Sequence, residues 1–262
     1  MWQQAHRIQH SLRRKALLIV VINLSLLCAA FQTNDCKLTN TTTYDGEKLV
    51  YKIFYTLAGA YVGAGEATFS NTLTTYNNKP CYHFVGEGHT YSSYDWFFKV
   101  RDKYESYVDT ATMLPERFVR KVEEGSHKLY NSVVFNHTYH RATSTNGVYK
   151  IPDCVQDVLS AIYYARNIDF STFEINQKHN FTIFLDDTVE AVHIEYLGKK
   201  KLTTRYGTYN TIQFRPKLLE GTLFKKGTEM TVYVTDDQFK IPVYIETPII
   251  VGRIKVFLTN KK

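Results

Sequence analysis

The sequence predicts an all-β fold: a single strongly curved antiparallel sheet (half-barrel, barrel or sandwich) with one mid-chain helix. Three observations predict it. Apolar and polar residues alternate with period two through roughly a dozen short runs, each ended by turn residues. Only one segment switches to the helical period. Small residues interrupt the first two runs, where Ala58-Gly59-Ala60 and Gly63-Ala64-Gly65 mark bends or close backbone approaches.

The first strand begins at Glu47. Leu49, Tyr51, Ile53, Tyr55 and Leu57 share one face, and Val50, Lys52, Phe54 and Thr56 the other. Ala60–Ser70 is the second strand and Cys81–His89 the third, after the turn Asn77-Asn78-Lys79-Pro80. Lys99–Val108, Glu116–Val122, Leu129–Phe135 and Thr138–Ser144 follow, with Glu124-Gly125 and Asn146-Gly147 as hairpin turns. Val155, Val158, Leu159, Ile162, Tyr163 and Arg166 then recur at helical spacing. Asp153 with Gln156 has the form of a capping box, which predicts a helix of about a dozen residues. Placed mid-chain, it plugs an open end of the sheet or closes one edge. Beyond it, strands are expected at Phe181–Leu185, Val189–Leu197, Lys201–Tyr206, Thr211–Pro216, Met230–Thr235, Pro242–Glu246 and Ile249–Leu258. Asp186-Asp187, Gly198, Gly207, Gly227 and Asp236-Asp237 are the turns.

Ahead of the strands lies an address. Arg7, Arg13, Arg14 and Lys15 precede an apolar run from Ala16 to Ala30, which gives way to Gln32-Thr33-Asn34-Asp35. That is the pattern of a signal peptide over residues 1–31, and the run is short for a bilayer span of about 20 residues. An uncleaved anchor is the alternative. The organisation expected is thus a leader (1–31), a flexible Thr- and Asn-rich lead-in (32–45) and a single β-rich domain (46–262). The mature chain is expected in the periplasm or outer envelope, without a transmembrane span. The four leader cations meet no carboxylate before residue 31, so the formal charge of +7 for the whole chain falls to +3 in the remainder. A charge that small argues against a nucleic-acid partner. The 20 tyrosines and 16 phenylalanines suit half-wet sheet faces and core packing.

Outside the leader the cysteines are Cys36, Cys81 and Cys154. In an oxidising compartment one disulfide and one free thiol is the simplest arrangement, and three pairings are open. Cys36–Cys154 is favoured because it ties the start of the mature chain to the helix. Three reduced, buried thiols is the alternative.

No catalytic motif is present. The Gly59, Gly63 and Gly65 spacing leads into a strand, so it lacks the helix N-terminus a phosphate loop requires. Cys81 and His83 share a strand face, but one pair cannot close a metal site, and neither metal nor cofactor is expected. His137 and His140, if on a strand, face opposite ways. Glu66 and Glu87, within apolar Gly-flanked strands, are the carboxylates to check, with Arg101, Arg117 or Arg120 as partners. Asp95 with Asp102 is the other pair to check.

Taken together, Gly46-Glu47-Lys48-Leu49-Val50-Tyr51-Lys52-Ile53-Phe54-Tyr55, Val62–Thr68, the helix with Asp157, Ser160 and Arg166, Val234-Thr235-Asp236-Asp237 with Ile241-Pro242-Val243, and Gly252-Arg253-Ile254 resemble exported bacterial proteins. The family resembled is the domain of unknown function 3108. The resemblance implies an envelope location and a β-rich single domain, and supplies no catalytic residues. The leading expectation is a non-catalytic envelope protein binding an apolar, lipid-like or glycan-like ligand on a concave sheet face. An assembly factor binding a protein through an edge strand is the alternative, and a hydrolase with an unrecognised carboxylate pair the second.

Overall fold

The computed structural model describes residue 36 and residues 38–57, 60–96, 98–217, 229–249 and 251–262. The expected leader, Ala58-Gly59 and Gly227 lie outside the described residues. Fourteen described strands form one antiparallel sheet. In chain order they are β1 (Lys48–Leu57), β2 (Ala60–Tyr76), β3 (Lys79–Thr90), β4 (Arg101–Asp109), β5 (Pro115–Glu124), β6 (His127–Asn136), β7 (Arg141–Ser144) and β8 (Val148–Lys150). After the helix α1 (Val158–Arg166) come β9 (Lys178–Leu185), β10 (Thr188–Thr204), β11 (Gly207–Pro216), β12 (Thr231–Thr235), β13 (Pro242–Pro248) and β14 (Arg253–Lys261).

Each strand pairs with its sequence neighbour, except where β14 returns to pair with β1. Two meanders, β1–β8 and β9–β14, therefore share one seam between the two ends of the domain. The sheet is unclosed, with β8 and β9 as its edges. A strap ahead of α1 covers part of the β9 edge: the Gln156 N–H donates to the Thr182 carbonyl at 3.0 Å, and the Phe184 N–H donates to the Gln156 carbonyl at 2.8 Å. Side chains reach across the same gap. Arg120 pairs with Asp186, and Asn146 Nδ2 donates to Asp187 Oδ2 at 2.7 Å. Sheet edges are pairing hazards, and these contacts blunt this one.

Curvature follows the bends read from the small residues. β2 carries a bulge at Ala64, where Ile53 pairs with Gly65 and Phe54 with Gly63. A Cβ on Gly65 would lie 2.2 Å from the His89 carbonyl oxygen, so β2 and β3 meet there only because the side chain is missing. Gly198 was expected as a turn between two strands. Instead β10 runs through it as one 17-residue strand, bulged between Tyr196 and Gly198, with Gly198 at φ +99°. The bend carries the β10–β11 hairpin over the outer face, where Arg205 stacks 4.9 Å from Phe54 and 4.5 Å from Tyr61.

The helix starts about one turn later than its sequence suggests. Asp157 is the N-cap: its Oδ1 accepts from the Leu159 and Ser160 N–H groups, and the Ser160 hydroxyl accepts from the Asp157 N–H. Asp153, the expected cap, pairs with His140 at 3.1 Å; it lies in a turn with Cys154, which has φ +60°, and Gln156 beyond it is bridged to Ile183, so the helix cannot start there. The helix has nine residues. Cys36 and Cys154 form a disulfide just ahead of it, closing a 118-residue separation. Cys81 is buried and free. Within the lead-in, residues 38–45 are packed: the Thr41 N–H donates to Asn167 Oδ1 at 2.8 Å, and Asn40 Nδ2 donates to the Tyr82 hydroxyl at 2.9 Å.

Candidate apolar binding cavity

The helix is buried on two sides, and the cavity exists because those sides differ. One stripe, Leu159 and Tyr163, packs with Phe84, Val108, Phe118 and Phe135 of the β3–β6 meander. Tyr163 stacks on Phe84 with ring centroids 3.6 Å apart. At the helix C-terminus, Ala165 joins a second core with Ile194, Tyr196, Ile212 and Phe214. Val158 packs against the first core at one end of the remaining stripe, but Ala161 and Ile162 are not packed out. Ile162 retains 38% of its exposure although it faces the sheet's concave side.

Between that stripe and the sheet lies a cavity of about 480 Å³. It falls within the range of small-ligand sites, about 300–1,000 Å³. Its walls are Ile183, Val192, Phe214, Val232, Ile245 and Val256 from the β9–β14 meander, with Leu49, Tyr51 and Phe69 from β1 and β2. Strand alternation supplies this: Phe214 opposes Val232, which opposes Ile245, which opposes Val256, so one cross-strand row faces inward. Among the described lining residues only Tyr51, Tyr163, Arg166, His193 and Lys217 carry polar side-chain groups. The Tyr51 hydroxyl donates to the Pro242 carbonyl at 3.0 Å. Lys217 Nζ donates to the Ala191 carbonyl at 2.8 Å. Burial and the nearby Lys178 and Lys217 hold the His193 pKa below the ordinary imidazole value.

Two buried polar constructions fix the helix over this space. Arg166 is 3% exposed and Glu47 1%. Their charges meet in a bidentate pair, with Nη1 donating to Oε1 at 2.6 Å and Nη2 to Oε2 at 2.8 Å. Arg166 also donates to the Phe239 and Thr42 carbonyls. At the other end, the Asp157 carboxylate accepts from the Ser106 hydroxyl at 2.5 Å. Burial pushes the Asp157 carboxyl up to about 6, opposed by the hydrogen bonds from Ser106, Ser160 and Leu159.

The carboxylates singled out from the sequence lie elsewhere. Glu66 and Glu87 share the face of the β2–β3 pair opposite to Phe69, since Thr68 opposes Glu87. Glu66 accepts a 3.2 Å hydrogen bond from the Tyr91 hydroxyl, and Glu87 is exposed opposite Lys103. Arg101 and Arg120 pair with Asp95 and Asp186. The Asp102 carboxyl is pushed up to about 6, first by burial and then by Glu124, and accepts from the Glu123 N–H. None of these groups lines the cavity. His83 pairs with Glu105 at 3.2 Å, while His137 and His140 sit in the β6–β7 turn region. No cluster of three metal-ligating side chains occurs among the described residues.

Sequence reasoning missed the Glu47–Arg166 pair and the cavity stripe. The signal for the stripe was present: Val158, Ala161, Ile162 and Ala165 make α1 apolar on more than one face, the mark of a helix covered from both sides. The pair joins residues 119 positions apart, which periodicity cannot connect.

The model of the family described as "Protein of unknown function (DUF3108)" matches residues 50–259. The chain belongs to this family. Among solved structures it is similar to a β-barrel-like protein of the domain of unknown function DUF1849 from Brucella abortus. The TM-score is 0.57 at 8% identity, covering 84% of this chain and 98% of that one. That likeness concerns the fold alone. A Bacteroides fragilis protein with a YmcC-like fold is matched at TM-score 0.31 and 7% identity, over 86% of this chain and 99% of that one, which carries no argument. No curated protein matches the chain.

Proposed function

We propose that this chain is a non-catalytic exported envelope protein that holds a lipid-like ligand in the cavity beneath α1. The observation that carries this reading is the cavity: about 480 Å³ lined almost wholly by aliphatic and aromatic side chains. Apolar walls of that extent favour an alkyl chain over a glycan, whose hydroxyl groups would lose water without replacement hydrogen bonds. The Cys36–Cys154 disulfide supports export, since such bonds persist in oxidising compartments. Glu66 and Glu87 stand outside the cavity, so the hydrolase alternative gains no support from it.

The test is displacement of a fluorescent long-chain alkyl probe from the delipidated mature protein. Ala161 faces the cavity from α1, and Ala161→Trp fills the space without touching the caps or the ion pair. The expected result is probe binding by the native chain and at least a tenfold weaker affinity in A161W with an unchanged circular dichroism spectrum. Equal binding by both proteins would place the probe elsewhere and defeat the proposal.

A further inference from the structure

Alternate strands of the antiparallel sheet run the same way, so the β1–β2, β3–β4 and β13–β14 connections all lie at one end of it. They are also neighbours. Thr56 opposes Tyr61 of β2 on one side and Arg253 of β14 on the other, so both hairpin tips flank the end of β1. The Tyr55 hydroxyl donates to the Val251 carbonyl at 3.0 Å. The Tyr91 N–H, where the β3–β4 connection begins, donates to the Ala64 carbonyl at 3.1 Å. Turns are ordinarily polar, but these are not. The sequence carries no charge between Tyr55 and Glu66, or between Glu246 and Arg253. Leu57 is 43% exposed, Tyr61 37%, Val251 55% and Trp96 84%. Exposed apolar side chains gathered on adjacent connections mark an interaction surface.

A cation stands beside them. Arg205, at the tip of the β10–β11 hairpin, is exposed and held over the rings of Phe54 and Tyr61. Among the described residues no carboxylate pairs with it; Glu246, the nearby acid, already accepts from the Tyr244 hydroxyl at 2.8 Å and from Arg253 at 3.1 Å. Stacking therefore fixes the guanidinium and leaves its donors for an external anion. A folded protein partner would need one continuous complementary patch of about 1,000 Å². Here the apolar side chains come singly from separate connections, and a bilayer accepts them singly. Leucine and valine enter among acyl chains, tyrosine and tryptophan sit at headgroup level, and a cation meets lipid phosphates. The cavity reaches the same end, where its lining residues Leu185 and Pro216 finish β9 and β11.

We infer that this end of the domain docks on an anionic lipid bilayer, with Leu57 and Val251 inserted, Tyr61 and Trp96 at headgroup level and Arg205 against the phosphates. The surface is separate from the cavity, and the inference stands whether or not the cavity holds a ligand.

The test mixes the mature chain with extruded vesicles of phosphatidylcholine and phosphatidylglycerol in equal parts, and with vesicles of phosphatidylcholine alone. Cosedimentation reads binding. Trp96, the only tryptophan beyond residue 31, reads insertion through quenching by lipid brominated on its acyl chains. The native chain is expected to sediment with the mixed vesicles, with Trp96 quenched, and to bind phosphatidylcholine alone more weakly. Arg205→Gln should weaken binding to the mixed vesicles by about fivefold, the worth of one surface cation. Leu57→Asp combined with Val251→Asp should weaken it by at least about tenfold, while the alkyl probe binds its cavity as before. No cosedimentation of the native chain, no quenching of Trp96, or vesicle binding that L57D/V251D leaves unchanged would overturn the docking. Equal binding to the two vesicle types, or by R205Q and the native chain, would overturn the assignment of Arg205. A dimer in vesicle-free solution that L57D/V251D abolishes would give the tips to a second copy of the chain instead. The quenching measurement needs no variant and decides the matter should L57D/V251D not fold.

Discussion

Replacing Arg166 by methionine is the sharpest test of what holds α1 over the cavity. The native pair has two short charge-assisted bonds, 2.6 and 2.8 Å, between groups almost wholly shielded from water. Arg166→Met leaves the Glu47 carboxylate buried without a counter-charge and releases the Phe239 and Thr42 carbonyls. Removing one partner of a buried pair costs about 3–5 kcal/mol. For a domain of this size 1 kcal/mol moves Tm by about 2–4 °C, so the expected fall is roughly 6–20 °C. Glu47→Met strands the guanidinium charge instead and should cost a similar amount. The double variant E47M/R166M removes both charges. It is expected to recover about 2–4 kcal/mol relative to the sum of the two single methionine variants, since apolar replacement of a whole pair is often near neutral. Urea unfolding followed by circular dichroism measures all four proteins, with m-values compared to confirm a common unfolding transition. An R166M loss below about 1 kcal/mol, or additive single and double effects, would refute the reasoning.

Three further predictions follow from other parts of the fold. The Asp157 carboxyl, raised from 3.8 to about 6, makes its ionisation unfavourable in the folded state; the stability it contributes is present below about pH 4 and is lost as pH rises through about 6. Asp157→Asn keeps an N-cap acceptor, so it should match or exceed native stability at pH 7 and show a smaller loss between pH 4 and 7, read from paired unfolding midpoints; a steeper loss would sink this account. Removing the disulfide with C36S/C154S frees a 118-residue separation, worth about 5 kcal/mol in the chain-entropy treatment, and a midpoint change under about 1 kcal/mol would show that the unfolded chain is not constrained that way. Gly65→Ala sets a methyl 2.2 Å from a backbone oxygen and should cost about 1–3 kcal/mol in a thermal melt, whereas a neutral result would mean that the β2–β3 pair can spread there.

The strands were legible wherever one face meets a core, because burial on one side writes period two into the chain. β1 shows it: Leu49 and Tyr51 are buried while Lys48 is exposed. Boundaries were not legible where turn residues serve inside a strand, as at Gly198, nor where strands are too short to alternate, as in β8. The helix was visible from its stripe, yet its cap shifted from Asp153 to Asp157 because a turn at Asp153-Cys154 and a tertiary bridge at Gln156 keep the residues between them out of the helix. No local pattern encodes that bridge.

By itself the sequence determined an antiparallel β body with one helix, a cysteine pair able to tie the lead-in to that helix, and the absence of any recognised catalytic motif. These are properties of neighbouring residues and of composition. Only the tertiary structure decided that β14 closes onto β1, that Glu47 meets Arg166, and that Ala161 and Ile162 face a space instead of a packed wall. Each of these joins residues far apart in the chain, and a cavity is defined by the atoms around it, which no single segment specifies.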